Sequence, residues 1–519
     1  MPLCENGIRS GIKLFDGLPR GAGGAFGAAA ALVNADVVGA AAAPLKMAAA
    51  PVVAVDLGLG RGRLVVGSDV AAAPAVAVAA ADSVPGAGMA DVDAVQAAAA
   101  RLVMAAVILA GYLSARLIGI CQNKRQSKIL LAAAVLLEIL PLAYCKYADF
   151  FIQNLNMLTG QKIPLFRIAM PLGISFYTFQ VISYTVDVYR GGVQAQKNLI
   201  TFAAYVAMFP QLVAGPIVRY SDIRSQLENR LHSVEKCAYG IRRFVIGLSK
   251  KILIANVLGE LIGHFQASEE KSVLFFWIYA IAFMLQIYFD FSGYSDMAIG
   301  LGAFLGFDFS ENFRYPYISG SITEFWRRWH ISLGSWFRDY LYIPLGGSRV
   351  KPARWIFNMF LVWMATGFWH GAAWNFILWG LMYAVLLLIE KIWLLPYLKK
   401  HKIIGHLYVL FFVLIGFILF DASSVADFWD YIVSMFGGGQ IKVVTTESLY
   451  YLKSYVVVIL IAVIGATPLP VRLYGILQKK KCLKQTLDIA EIILLVILLL
   501  LCVAFLVDGS FNPFLYFRF

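Results

Sequence analysis

Charge is scarce in this chain. Only 14% of the 519 residues are Asp, Glu, Lys or Arg, while 60% are hydrophobic and the mean hydropathy is +0.73. That balance excludes an ordinary soluble globular domain, in which about 25% of residues are charged. Cysteine is also scarce. Cys4, Cys121, Cys145, Cys237, Cys482 and Cys502 are scattered, with no pair spaced as a metal knuckle or redox motif. Buried free thiols are the default for such residues. A Gly-rich phosphate loop, a Gly-x-Ser-x-Gly elbow and a His-Glu-x-x-His motif are all missing. Nucleotide hydrolysis, serine hydrolysis and metal mechanisms are therefore without support.

Aromatic residues are nearly missing from the first hundred positions. Only Phe15 and Phe26, two of the chain's 73, fall there, against 30 alanines. Gly, Pro and Asp interrupt the alanine runs too often for a spanning helix. No basic start, compact apolar core and cleavage site marks a secretory signal. Residues 1–97 read as an Ala/Gly-rich low-complexity segment, disordered or the product of a wrongly joined reading frame. Residues 98–519 form the membrane domain.

What the remainder has is long apolar runs. A bilayer crossing takes about 20 apolar residues. The clearest candidates are Ser272–Ile287, Phe357–Ile389, Leu407–Phe420, Tyr455–Ile464 and Ile489–Leu506. Less uniform ones cover Leu102–Ile120, Ile129–Cys145, Ile168–Val188 and Phe202–Val218. Hydropathy thus predicts an all-α polytopic protein with roughly nine or ten spans. Outside residues 1–100 there are 38 basic and 23 acidic residues, a net +15. The surplus falls in short clusters such as Arg242-Arg243, Lys250-Lys251 and Lys479–Lys481, the pattern of cytoplasmic loops and anionic headgroup contacts. It does not point to nucleic acid.

Two histidines stand out against this background. His370 sits within Trp363–Asn375, bracketed by Gly367 and Gly371, in an otherwise apolar stretch. His330 ends the run Glu324-Phe-Trp-Arg-Arg-Trp-His. Ionisable groups at membrane depth are costly, so one that is present is a functional candidate. The alternative for His370 is a core histidine bonded to a backbone carbonyl. The glycines oppose it, because broken backbone in a membrane lines a cavity or is buried in protein. For His330 the alternative is a polar edge. Ser321-Ile-Thr-Glu324 has the form of a capping box, and Phe325, Trp329, Leu333, Trp336 and Tyr340 recur at helical spacing, which predicts one amphipathic helix. Other polar clusters, Tyr288–Asp296, Phe209–Arg219 and Tyr342–Arg349, read as cavity walls first and substrate contacts second.

The runs Glu324–Leu333, Trp336–Arg349 and Gly367–Phe376 resemble the membrane-bound O-acyltransferase family, and more narrowly its bacterial alginate O-acetyltransferase branch. Pro210–Tyr220, Phe289–Gly300 and the ending Phe511–Phe519 are similar to the same branch. The resemblance runs from about residue 100 to the last residue. Relatives begin with two or more ordinary membrane helices, and residues 1–100 show none.

The resemblance implies a helical bundle with irregular, re-entrant and interfacial helices around a central tunnel, in the bacterial cytoplasmic (inner) membrane. It implies acyl transfer, with acetyl-CoA or a derived acetyl thioester as donor substrate and no bound cofactor or metal. His370 matches the family's buried active-site histidine and is expected to act as general base. His330 matches the second functional histidine, expected to orient the acyl group or stabilise the oxyanion, with Asn375 in support. Trp329, Trp369, Asp290, Asp296 and Arg338 are expected around the tunnel. The implied partners are membrane lipid, an extracytoplasmic polysaccharide and a periplasmic or cell-surface acetyltransferase protein. Two readings remain beside this one: a D-alanyl transferase for teichoic acid, and an acyl conduit or transporter that makes no bond itself.

Overall fold

The computed structural model describes residues 89–213 and 215–508. The stretch up to residue 88, the ending Phe511–Phe519 and Ala214 lie outside the described residues. Among the described residues every regular element is a helix and there is no strand. That fits an apolar medium, where backbone groups must be satisfied within the segment. Among the described residues, seven helices are long and apolar enough to cross a membrane: Gln96–Ile120, Lys124–Thr159, Val273–Phe304, Trp374–Lys400, Lys402–Asp421, Thr446–Gly465 and Cys482–Asp508.

Seven is fewer than the nine or ten that hydropathy predicts, and three candidates are redrawn. Ile168–Val188 holds a 16-residue helix, Ile174–Tyr189, in which every residue from Ile174 to Thr185 is buried. Ser175, Thr178, Gln180, Ser183 and Thr185 are buried among its apolar residues, a mixture that belongs to a protein interior and not to a lipid-facing surface. Phe202–Val218 breaks into the helix Leu199–Val206 and the single turn Phe209–Leu212, with Pro210 inside that turn. Phe357–Ile389 is two helices, as described below.

The described chain falls into two compact units. One comprises the described residues before Ala214 together with Arg219–Asp222, the other the remaining described residues. In the first unit, α1 (Met89–Ile120) and α2 (Lys124–Leu142) pack against α3 (Ile174–Tyr189). The fully buried Glu138 of α2 accepts the Thr185 hydroxyl of α3 at 2.6 Å. This buried hydrogen bond ties the two helices together across 47 positions of sequence.

The second unit contains both histidines. Its two most closely packed helices are α4 (Val234–Ser249) and α5 (Val273–Phe304). Gly240 faces Gly300 and Gly247 faces Gly293, so closely that a Cβ on any of the four would strike the opposite backbone. Charged groups complete the seam. Arg243 bridges Asp296 and Glu311, each at 2.6 Å, Lys250 meets Asp296 at 2.6 Å, and Lys251 meets Asp290 at 2.5 Å. Carboxylates this deep persist because each has a cation beside it.

The segment predicted as one amphipathic helix over 321–340 is broken. Ser321 caps the single turn Ile322–Phe325, accepting from the Glu324 amide at 3.0 Å. The capping box is half formed, because the Glu324 carboxylate accepts from the Gly320 amide and not from Ser321. His330 then adopts φ 43°, in the left-handed region, and α6 (Ile331–Phe337) starts afresh. The wide turn Arg338–Tyr342 follows. A left-handed non-glycine residue costs on the order of 1–3 kcal/mol, and persists where the surroundings dictate it.

The apolar stretch 357–389 is a helical hairpin of α7 (Pro352–His370) and α8 (Trp374–Ile389). Gly367 abuts the Phe376 carbonyl, and Gly380 abuts the Trp363 carbonyl. A side chain at either position would hold the helices apart. His370 is the last residue of α7, at the tip of this hairpin. The break that its glycines announced is present, with Gly371 buried and Ala372 and Ala373 half-buried.

Candidate active site

The two imidazoles meet around one indole. Trp369 lies 6.2 Å from the His330 ring and 4.9 Å from the His370 ring, centroid to centroid, edge-on to both. His370 is further enclosed by Trp379 at 5.2 Å and Phe420 at 5.3 Å, again edge to face. Both histidines are buried.

The hydrogen bonds of His330 settle which nitrogen carries its proton. Asn312 Oδ1 accepts from the Ser332 amide at 3.2 Å and from the Ser332 hydroxyl at 2.9 Å, while its amide nitrogen donates to Ser295 Oγ at 3.0 Å. The backbone donor and the Ser295 acceptor together orient that amide, which is otherwise ambiguous between O and N. His330 Nδ1 lies 3.2 Å from the same Oδ1. An amide oxygen only accepts, so Nδ1 holds the hydrogen and Nε2 holds the lone pair. That Nε2 is buried and has no hydrogen-bond partner. Phe291, edge-on at 4.7 Å, fixes the ring on its other side.

His330 lines a cavity of about 430 Å³. The opposite wall comes from α7, including Met359, Val362 and Thr366, one turn before His370. Three cations, Arg327, Arg338 and Lys391, also line it. The cavity is therefore an apolar slot lined also by basic groups and by the residue His330, whose Nε2 is itself shielded. Such a combination of apolar lining and a few convergent polar groups is typical of ligand sites.

Burial pushes the His330 imidazole down to about 3, so the ring is neutral at pH 7. In the unfolded chain a histidine titrates near 6.5. A depressed folded value means that the ring contributes stability in full above about pH 6.5, lost progressively as pH falls toward 3. The melting temperature of the detergent-extracted protein should accordingly fall below pH 6 more steeply in the wild type than in His330→Gln. Parallel pH profiles would contradict this account of the ring.

The other expected site residues separate into groups. Trp369 stands between the imidazoles, and Arg338 lines the cavity while paired with Asp339 at 2.6 Å. Trp329 is core: it stacks on Phe325 at 5.6 Å and meets Phe313 at 5.1 Å. Asn375 donates to the Ala422 carbonyl at 2.9 Å and the Phe420 carbonyl at 3.3 Å, tying the hairpin to the end of α9 (Lys402–Asp421). Asp290 and Asp296 belong to the ion pairs of the α4–α5 seam. Asp296 still bears on the site, since Arg243 links it to Glu311, the neighbour of Asn312. Asn312 was not expected. It lies in an irregular loop 18 positions before His330, with no motif or periodicity to mark it.

Residues 193–424, which include both histidines and every residue lining the cavity, match the model of the membrane-bound O-acyltransferase family. The chain is 39% identical over 424 residues to the probable alginate O-acetylase of Azotobacter vinelandii, covering 75% of this chain and 84% of the relative. It is 33% identical over 336 residues to the peptidoglycan O-acetyltransferase of Helicobacter pylori, covering 59% and 64%. With the teichoic acid D-alanyltransferase of Bacillus subtilis it shares 29% identity over 338 residues, covering 61% and 82%. The chain belongs to the membrane-bound O-acyltransferase family. It is a multi-pass membrane enzyme, an O-acyltransferase.

Proposed function

We propose that the protein transfers acetyl groups from a thioester, acetyl-CoA or one derived from it, toward hydroxyls of an extracytoplasmic polysaccharide of the alginate type. The membrane would be the bacterial cytoplasmic membrane, and a periplasmic or cell-surface acetyltransferase partner would complete delivery to polymer. The observation that carries the reading is His330 Nε2: a buried, oriented lone pair on a residue that lines an apolar cavity. The basic residues of that cavity suit an anionic donor, whose acyl end can extend along the apolar walls. The acetyl-transferring relatives favour acetyl over D-alanyl as the group moved.

In the step we propose, the acceptor hydroxyl oxygen attacks the thioester carbonyl carbon. Its proton passes to His330 Nε2, the C–S bond breaks, and the imidazolium returns the proton to the departing thiolate. The products are an O-acetyl ester and a free thiol. A neutral imidazole held by an amide on its far nitrogen suits a general base, a role worth about 10²–10⁴-fold. Sequence alone gave that role to His370 and gave the acyl group or oxyanion to His330. The Nδ1–H tautomer leaves His330 no proton to offer an oxyanion, so we exchange the parts: His370 orients the acyl group across Trp369.

The test is a donor assay in proteoliposomes with labelled acetyl-CoA, a labelled D-alanyl carrier protein and an oligosaccharide acceptor. Acetyl transfer without D-alanyl transfer is the expected result. Preference for the D-alanyl donor would overturn the assignment. Donor passage with no new ester bond would mark the chain as a conduit.

A further inference from the structure

Glu390 has no part in the step above. It lies where α8 runs into the wide turn Glu390–Leu394, and its side chain is fully buried, 0% exposed. Its carboxylate faces the start of the His330 segment. Oε1 accepts from the Ile322 amide at 2.5 Å, while Oε2 accepts from the Thr323 amide at 2.8 Å and the Thr323 hydroxyl at 2.6 Å. Those two amides open the single turn Ile322–Phe325, where a helix start has no internal partners for its N–H groups. Two backbone amides and a hydroxyl held by one fully buried side chain make this a firm anchor.

The anchor sits at a short remove from the chemistry. Trp326 and Arg327, three and four residues past the held amides, line the cavity, and so does Lys391, the residue after Glu390. Trp326 packs edge-on against Trp363 of α7 at 4.8 Å and Tyr383 of α8 at 4.9 Å. Between the anchor and His330 there is one helical turn and then irregular backbone. The Asn312 loop holds the His330 end of this segment: the Arg314 amide donates to the Arg328 carbonyl at 2.9 Å, Arg328 Nη1 donates to the Arg314 carbonyl at 3.0 Å, and the Ile331 amide donates to the Asn312 carbonyl at 3.0 Å, so Glu390 supplies the hold at the opposite end. On the far side the segment is held at Ser319, whose carbonyl faces His406 Nδ1 at 3.3 Å.

We propose that Glu390 is a positioning residue for acyl transfer, fixing the backbone that carries Trp326 and His330 against the cavity. It does not touch the substrate. The inference rests on the acyl-transfer reading of the His330 site. A reacting group misplaced by about 1 Å through a distant change costs about 10²-fold in rate.

Glu390→Gln is close to isosteric but turns an NH₂ group toward donors, so one set of hydrogen bonds is lost. Its kcat per folded molecule should fall by roughly 10- to 10²-fold, with donor KM moving less than about threefold. Thr323→Val removes only the hydroxyl and should show a smaller fall of the same kind. Wild-type kcat per folded molecule in Glu390→Gln, with only yield or melting temperature reduced, would overturn the proposal. If Glu390→Gln does not fold, Thr323→Val decides, and an unchanged kcat there counts against it. His330→Ala, run in parallel, separates the two readings. If His330→Ala stays active, the His330 site reading is wrong. If it is dead while Glu390→Gln is normal, only the positioning role of Glu390 fails.

Discussion

His330→Ala and His370→Ala should each abolish acetyl transfer and leave a folded protein in the membrane. The His330 effect follows from the lone pair on Nε2, which no protein group uses. Removing a general base withdraws about 10²–10⁴-fold in rate, or roughly 3–5 kcal/mol of transition-state stabilisation. The fold should tolerate the change. His330 Nδ1 is only one of three groups around Asn312 Oδ1, and Ser332 keeps that oxygen satisfied through two bonds. His370 packs edge-on among Trp369, Trp379 and Phe420, so its loss trims an aromatic cluster that retains its other ring contacts. Turnover in the single variants, compared at equal amounts of monodisperse folded protein, checks this. Wild-type activity in either variant contradicts its role, and a loss that merely tracks unfolding makes that histidine a core residue.

Asn312→Leu should lower kcat by about 10²-fold. The substitution preserves approximate volume and removes both ends of the amide. His330 then loses the acceptor that selects the Nδ1–H tautomer and the contact that orients its ring, and rings held in the wrong tautomer lose most of their value as bases. Ser332 also loses the acceptor for its amide and hydroxyl, so some loss of stability is expected, on the order of 1–3 kcal/mol for buried donors left without partners. Asn312→Asp is the informative companion. It restores an acceptor, and a carboxylate beside the ring should raise the His330 pKa and move the acid limb of the pH–rate profile upward. An Asn312→Leu enzyme with wild-type kcat would show that the tautomer does not matter.

That both histidines would be buried among tryptophans was legible, because each ring sits in an apolar, tryptophan-rich stretch. The hairpin was legible in part. Gly367 and Gly371 announced a break at His370, but nothing in hydropathy said that the two halves fold back on one another, since that depends on Gly380 meeting the Trp363 carbonyl. The span count failed for a related reason. Ile174–Thr185 is rich in aromatic and branched residues, and hydropathy counts these alike whether they face protein or lipid. The single amphipathic helix over 321–340 failed at His330. Its periodicity is genuine, and the left-handed turn that interrupts it is imposed by tertiary contacts to Asn312. Asn312 and Glu390 were illegible altogether. Asn312 lies in a loop without a motif, and Glu390 beside Lys391 at the end of an apolar run looks like an ordinary interfacial anchor. Both act across 18 to 68 positions of sequence, a separation at which no local pattern survives.

The central claim is that the thioester donor occupies the cavity with its acyl carbon at the two histidines. The most direct measurement is a structure of the detergent-solubilised protein with a non-hydrolysable acetyl-CoA analogue. The account predicts phosphate groups near Arg327, Arg338 or Lys391 and the acyl carbonyl beside His330 and Trp369, with room for one hydroxyl oxygen within hydrogen-bond reach of His330 Nε2. An analogue bound elsewhere, or bound in the cavity with its acyl end turned away from both imidazoles, would contradict it.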